Sequence, residues 1–180
     1  PTGRYIVLNN IDLTAGPFND ENNPFNGELD FRGHTLTSTK GNYLFYRMGQ
    51  NGVLKNMVLD LTVPYNDPLR HRGFIAYRSS GHMQNIVVNL KGCTEYLHNL
   101  WGVFCYQNYY TGVIENFVVN LENTLYARTN FGCVAYYNDG VIRDGYVYGA
   151  DIILPDIYVE EGYTATNFGG IVGVNSTRGR

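Results

Sequence analysis

The sequence predicts an all-β chain wound as a right-handed parallel β-helix of about five coils, with a period near thirty residues. Three observations carry this. Gly52, Gly81, Gly112 and Gly140 recur at intervals of 28 to 31 residues and open one motif each. A second motif, a short apolar run that ends in tyrosine in four copies, keeps phase with the first. The 180 residues also include 21 Gly, 21 Asn and 16 Tyr. Gly and Asn tolerate left-handed backbone angles, and Tyr favours strands, so this composition suits many short strands joined by many turns.

The glycine motif runs Gly52-Val53-Leu54-Lys55-Asn56-Met57-Val58-Leu59-Asp60-Leu61 in its first copy. It returns from Gly81 to Leu90, from Gly112 to Leu121, and more weakly from Gly140 to Tyr148, where Gly145 interrupts it. Alternation along a strand sends successive side chains to opposite faces. Leu54, Met83, Ile114 and Ile142 should therefore stack inward. Met57, Leu59 and Leu61 should do the same, with Ile86, Val88 and Leu90 and then Phe117, Val119 and Leu121 above them. Asp60, Asn89 and Asn120 share an outward column. Asn56, Asn85, Asn116 and Asp144 are expected in line at a turn between two strands, their amides bonding from coil to coil.

The tyrosine motif reads Tyr43-Leu44-Phe45-Tyr46, Phe74-Ile75-Ala76-Tyr77, Val103-Phe104-Cys105-Tyr106 and Cys133-Val134-Ala135-Tyr136, with a fifth copy at Gly170-Ile171-Val172-Gly173. These strands are apolar at both parities, so their phase stays open. Together the motifs divide one domain into a run-in, N-terminal coil and cap over residues 1–41 and repeat coils over 42–180. The coils cover 42–72, 73–101, 102–131, 132–168 and a truncated 169–180. Successive coils should stack at about 4.8 Å, giving a prism roughly 25 Å tall.

Composition narrows the function. Net charge is −3 and only Lys40, Lys55 and Lys91 are lysines. No basic stripe for nucleic acid is present. The longest apolar runs are too short for membrane insertion by a helix. Cys93, Cys105 and Cys133 lack metal-ligand spacing and read as small core residues. His34, His71, His82 and His98 fall at unrelated repeat positions. Glycines spaced at the repeat period are not a phosphate cradle. The carboxylates are scattered, so no catalytic residue, metal site or cofactor is expected.

Phe168-Gly169-Gly170-Ile171-Val172-Gly173-Val174-Asn175 resembles the Gly-Gly-Leu-Val-Gly-x-Asn pattern of GLUG-type repeats in bacterial surface and secreted proteins. The Gly-x-Ile-x-Asn motifs match the second half of that repeat. The segments Tyr5 to Leu13 and Phe25 to Leu36 resemble the run-in to such arrays. The resemblance implies a β-helical module at an extracellular, cell-surface or virion-attached location, serving adhesion, ligand binding or spacing. It also implies one module of a longer protein. Some secreted IgA-cleaving metallopeptidases carry similar repeats as an accessory region, but no His-Glu-x-x-His occurs here. A carbohydrate-active β-helix enzyme, a polysaccharide lyase or a glycosidase, is the alternative.

Two features could bind a glycan or a host protein. One is the tyrosine column Tyr46, Tyr77, Tyr106 and Tyr136, with Trp101 nearby and Arg47 and Arg78 at one end. Such rings either contact a ligand or stack on each other along the solenoid. The other is the long connection from Asp151 to Asn167, with Asp156, Tyr158, Glu160 and Glu161. Gly132 and Gly169 are 37 residues apart, against 30 for Gly102 and Gly132. Extra residues in one coil form either a recognition loop or a tolerated insertion. At the C-terminal end the motif stops at Arg180, so the chain reads as a fragment of a longer protein. The open last coil there is a candidate for self-association, while the run-in should protect the other end.

Overall fold

This computed structural model describes residues 1–14, 16–39, 43–62, 72–91, 100–126, 131–153 and 168–180. The chain is a parallel β-solenoid. Its long face is a sheet in the order Arg4–Ile6, Glu28–Asp30, Val53–Thr62, His82–Lys91, Val113–Leu121, Val141–Gly149, with Ile11–Asp12 and Thr35–Ser38 continuing the first two rungs. Its short face stacks Phe45–Met48, Ala76–Ser79, Cys105–Asn108, Ala135–Asn138 and Val172–Asn175. Every named pairing is parallel and joins one coil to the next. Two-residue pairings such as Phe131–Gly132 with Phe168–Gly169 add a third side. Four regular turns carry both faces, and a fifth adds its short-face strand. Among the described residues no helix is long and apolar enough to cross a membrane.

The motif glycines sit where the chain passes from the short face to the long one. The amide of His82 donates to the Gly52 carbonyl at 2.8 Å, that of Val113 to Gly81 at 3.0 Å and that of Val141 to Gly112 at 2.9 Å. Coils meet so closely here that a Cβ on Gly81 would lie 2.5 Å from the Gly52 carbonyl oxygen. Glycine is the side chain this approach admits.

The register along the long face explains the inward columns. Leu54 pairs with Met83, and Met83 with Ile114. All three are fully buried, as are Met57, Leu59 and Leu61. Burying each such side chain contributes about 1.5–3 kcal/mol. Ile142 is partly buried and packs on this core. At Gly145 the core column has no side chain, because the Phe117 ring of the coil beneath occupies that space; a Cβ there would meet it at 2.2 Å.

Leu54 and Met57 both point inward although they are three residues apart, which simple alternation forbids. The residue between that solves the parity is Asn56, whose φ is +56°. Asn85, Asn116 and Asp144 share this left-handed conformation at φ +55°, +50° and +53°. They align as expected, but as a bend inside one continuous strand instead of a turn between two strands. The Asn85 Nδ2 donates to Asn56 Oδ1 at 3.0 Å, and Asn56 Nδ2 donates to Asp30 Oδ1 at 2.9 Å. Burial would raise the Asp30 carboxyl, but the Asn56 amide, the Arg32 N–H and Lys55 outweigh it and hold its pKa below the usual value. The outward column is bonded too, with Asn89 Nδ2 to Asp60 Oδ1 at 2.8 Å.

The run-in supplies two rungs of the long face. It covers the first regular turn, since Phe25 and Phe31 are buried against it. Protection of that end stops there: Arg4–Ile6 is exposed along its length, and Leu8 is 72% exposed. The loop from Gly16 to Pro24 folds over the short-face edge. Asn19 takes the place of a neighbouring strand, accepting from the Tyr46 N–H at 2.8 Å and donating to the Arg47 carbonyl at 2.6 Å.

The bend predicts a specific ranking at Asn85. Asn85→Gly keeps the left-handed conformation and loses one amide rung, costing about 1 kcal/mol or less. Asn85→Val places a β-branched residue at positive φ and should cost about 2 kcal/mol or more. Urea unfolding of the two variants measures the difference; equal midpoints would contradict the bend.

Candidate ligand-binding face

The short face settles the phase that the sequence leaves open. Phe45 and Met48 are buried, while Tyr46 and Arg47 between them are both half-exposed. The same pattern holds at Ala76–Ser79, Cys105–Asn108 and Ala135–Asn138. In each pairing the ladder passes over the tyrosine: Phe45 pairs with Ala76 and Arg47 with Arg78. Two adjacent columns therefore face outward. One is Tyr46, Tyr77, Tyr106 and Tyr136, continued by Gly173. The other is Arg47, Arg78, Gln107 and Tyr137, continued by Val174.

The tyrosine rings contact one another. Ring centroids of Tyr46 and Tyr77 are 5.2 Å apart at an interplanar angle of 60°. Tyr77 and Tyr106 stack at 5.2 Å and 12°, and Tyr106 and Tyr136 at 5.5 Å and 23°. Each pair of this kind contributes about 0.5–1.5 kcal/mol beyond area burial. Ring faces in the stacked pairs point along the solenoid, so the outward contact surface is made of ring edges and hydroxyls. Burial pushes the Tyr46 phenol pKa up, with Glu21 and Tyr77 adding to it. Burial also raises Tyr106, helped by Tyr77 and Tyr136. These hydroxyls remain protonated and can both donate and accept.

Arg78 stands near the N-terminal end of this surface, second in its column after Arg47. Its guanidinium lies 5.0 Å from the Tyr77 ring centroid, and Nη1 donates to Glu21 Oε1 at 2.9 Å. Burial opposes the charge on Arg78, while Tyr109, Tyr77, Glu21 and Tyr46 sustain it and leave its pKa raised. The Nε atoms of Arg47 and Arg78 are buried and have no hydrogen-bond partner among the described residues. Glu21 and Asn19 are the contributors that repeat reasoning passes over. They belong to the run-in, outside the period, and reach Arg78 and Tyr46 from 57 and 27 residues away.

Trp101 lies in the strand Leu100–Gly102, and its side chain falls outside the described residues. Asp156, Tyr158, Glu160 and Glu161 also lie outside them. Behind the face, an asparagine column that the repeat does not announce joins the coils, buried at Asn108 and Asn138 and exposed at Asn175. Asn108 Nδ2 donates to Asn138 Oδ1 at 2.8 Å, and Asn138 Nδ2 to Asn175 Oδ1 at 2.9 Å. Cys105 and Cys133 are buried free thiols; burial pushes Cys133 up to about 12 and Cys105 higher still. Neither is a nucleophile near neutral pH.

Several charged residues of the long face are paired between coils. Lys55 Nζ lies 2.7 Å from Glu28 Oε1. Glu115 accepts from Arg143 Nε at 2.8 Å and meets His82 Nε2 at 2.8 Å. Among the described residues no three His, Cys, Asp or Glu side chains gather as a metal site would require.

Two measurements test this picture. Tyr77→Ala removes two ring contacts and should destabilise the fold by about 1–3 kcal/mol, whereas Tyr77→Phe should stay within about 0.5 kcal/mol. Denaturant midpoints of the pair separate ladder packing from hydroxyl chemistry. The second concerns pH. Hydrogen bonding from Arg143, opposed by burial and aided by His82, lowers the Glu115 pKa. A depressed carboxylate stabilises the fold above its unfolded value, and the contribution is lost as pH falls through the folded pKa. The stability gap between wild type and Glu115→Gln should therefore shrink as pH falls below about 4.5. A gap that widens on acidification would overturn the assignment. No family model matches the chain, and neither a curated protein nor a solved structure is similar enough to be matched.

Proposed function

We propose that this chain is a non-catalytic β-solenoid module of a bacterial cell-surface or secreted protein, which binds a ligand through its short face and holds that face at a fixed spacing. The observation that carries the reading is the tyrosine column with Arg47 and Arg78 beside it, repeated in register on successive coils. Aromatic and arginine side chains in a regular row are the side chains that dominate recognition surfaces. The resemblance of Phe168 to Asn175 to GLUG-type repeats supports an extracellular array.

The outward carboxylates support binding over catalysis. Glu28 is engaged by Lys55, Asp30 by Asn56, Asp60 by Asn89, and Glu115 by Arg143 and His82. Each holds one coil to a neighbour. A glycosidase or lyase needs carboxylates poised at a substrate instead.

The experiment is capture on an array of glycans and extracellular proteins, with a product assay on the same glycans. Wild type should retain a ligand and Tyr77→Ala should lose it, with no product formed. Turnover that depends on Glu115 or Asp30 would replace this reading with an enzyme. Capture unaffected by Tyr77→Ala would move the binding face elsewhere.

A further inference from the structure

We infer that Arg47 and Arg78 form a clamp for one tetrahedral oxyanion, the group shared by sulfate esters and phosphate monoesters, and that Glu21 is the carboxylate this anion displaces. The clamp lies on the short face and rests on that face being the ligand face.

Two like charges stand side by side here. Arg47 and Arg78 pair in register on successive rungs, so both side chains leave the same face from backbones about 4.8 Å apart. Like charges directly opposite each other on a sheet repel and destabilise it. The column is neutral in the following coils, at Gln107 and Tyr137. The cations are thus confined to two neighbouring coils.

Their neutralisation is incomplete. Among the described residues Glu21 alone pairs with either arginine, and it reaches only Arg78, at Nη1. The Arg47 guanidinium makes no hydrogen bond or ion pair among the described residues. Asp20, the other carboxylate of the same loop, is turned to its own backbone, accepting from the Asn22 and Asn23 amides at 2.8 and 2.9 Å. Two guanidiniums therefore share one carboxylate, itself 56% exposed. Both Nε atoms are buried, which strips water from the inner side of each guanidinium and leaves the outer N–H groups to meet a ligand. A charge partly withdrawn from water attracts a counter-ion more strongly than a fully hydrated one.

Shape selects the anion. A carboxylate has two oxygens, and a single guanidinium fork can occupy both. An esterified tetrahedral oxyanion keeps three free oxygens, enough to accept from two guanidiniums at once. Glu21 is held by an exposed ion pair weak enough to exchange, on a loop that Asn19 fastens to the same strand edge. An entering anion takes its place on Arg78 Nη1 and bridges to Arg47.

NMR titration of the full chain, following the arginine side-chain signals, tests this with four compounds that share one pyranose: a glucose phosphate monoester, the matching sulfate ester, glucuronate and glucose. Both esters should shift the Arg47 and Arg78 signals together, with an affinity that falls with salt. Glucuronate should bind about fivefold or more weakly, and glucose should not bind. Arg47→Gln and Arg78→Gln should each weaken the esters by about tenfold or more. Glu21→Gln should tighten them by about two- to fivefold, the worth of an exposed ion pair. Arg47→Gln removes no polar contact of the fold, so its melting temperature should stay near wild type, which separates binding from folding. Preference for the phosphate, rising with pH through its second ionisation at about pH 6, would support the clamp and name a phosphate monoester as the source. Preference for the sulfate without that response would support it and name a sulfate ester. Equal affinity for glucuronate would overturn the tetrahedral group. Unchanged binding by Arg47→Gln would overturn the two-arginine clamp, and weaker binding by Glu21→Gln would overturn the displacement. Failure of both esters alongside Tyr77-dependent capture of an array ligand would overturn this inference while leaving the ligand face standing.

Discussion

Each coil of this solenoid must bend where the coil beneath it bends, because the long-face strands pair in one register on both sides of the bend. The bend is a single left-handed residue, Asn56, Asn85, Asn116 or Asp144. It corrects the parity of the strand so that Leu54 and Met57 both enter the core. If one coil lacked the bend, its side chains beyond that point would reverse faces and bury Val58 and Asp60 in place of Met57 and Leu59. Asn suits the position twice over. It tolerates positive φ, and its amide can both donate and accept along a stack.

The same commensurability governs the rest of the packing. The glycine column lets each long strand start directly on the carbonyl below, which fixes the height of every coil. Within the core, size is traded between neighbouring coils. Phe117 is large where Gly145 is absent of side chain, and the ring also meets Phe104 at 5.3 Å. The buried pair Asn108 and Asn138, continued by the exposed Asn175, places polar groups in the interior, where an unmade hydrogen bond is costly. Each amide finds the next coil's oxygen only when the coils are in register, so this series favours one stacking over shifted ones.

Much of this was legible from residue order. The period and the asparagine line follow from glycine placement, and the inward columns from stacking before that line and alternation after it. Arg32 was not, since arginine carries no preference for the left-handed region it occupies at φ +51°. The phase of Phe45–Met48 was hidden because two outward residues stand side by side there, which period-two reasoning does not allow. Asn108 and Asn138 gave no signal, because asparagine is seldom an interior residue, and are in fact buried. The role of the run-in was half visible: it stacks as expected, but its outermost strand is itself an exposed edge. On the tyrosine face, the sequence supplied the column, and only side-chain geometry could show the rings turned toward one another with Glu21 resting on Arg78.

The tyrosine ladder also shows how a solenoid couples its surface to its interior. Ring spacing of 5.2 to 5.5 Å exceeds the roughly 4.8 Å between strands, so the rings cannot follow the backbone repeat without tilting or splaying. The mismatch is taken up unevenly. The upper rings lie within 12° to 23° of parallel, and the adjustment is concentrated at Tyr46, tilted by 60° against Tyr77 and edge-on to Tyr43. That is where Asn19 grips the strand edge and Arg78 reaches Glu21. The N-terminal end of the column therefore differs chemically from the rest of it: charged, tilted and bordered by the run-in loop. One charged, irregular end breaks the uniformity of the row, and it does so through residues the repeat itself does not encode.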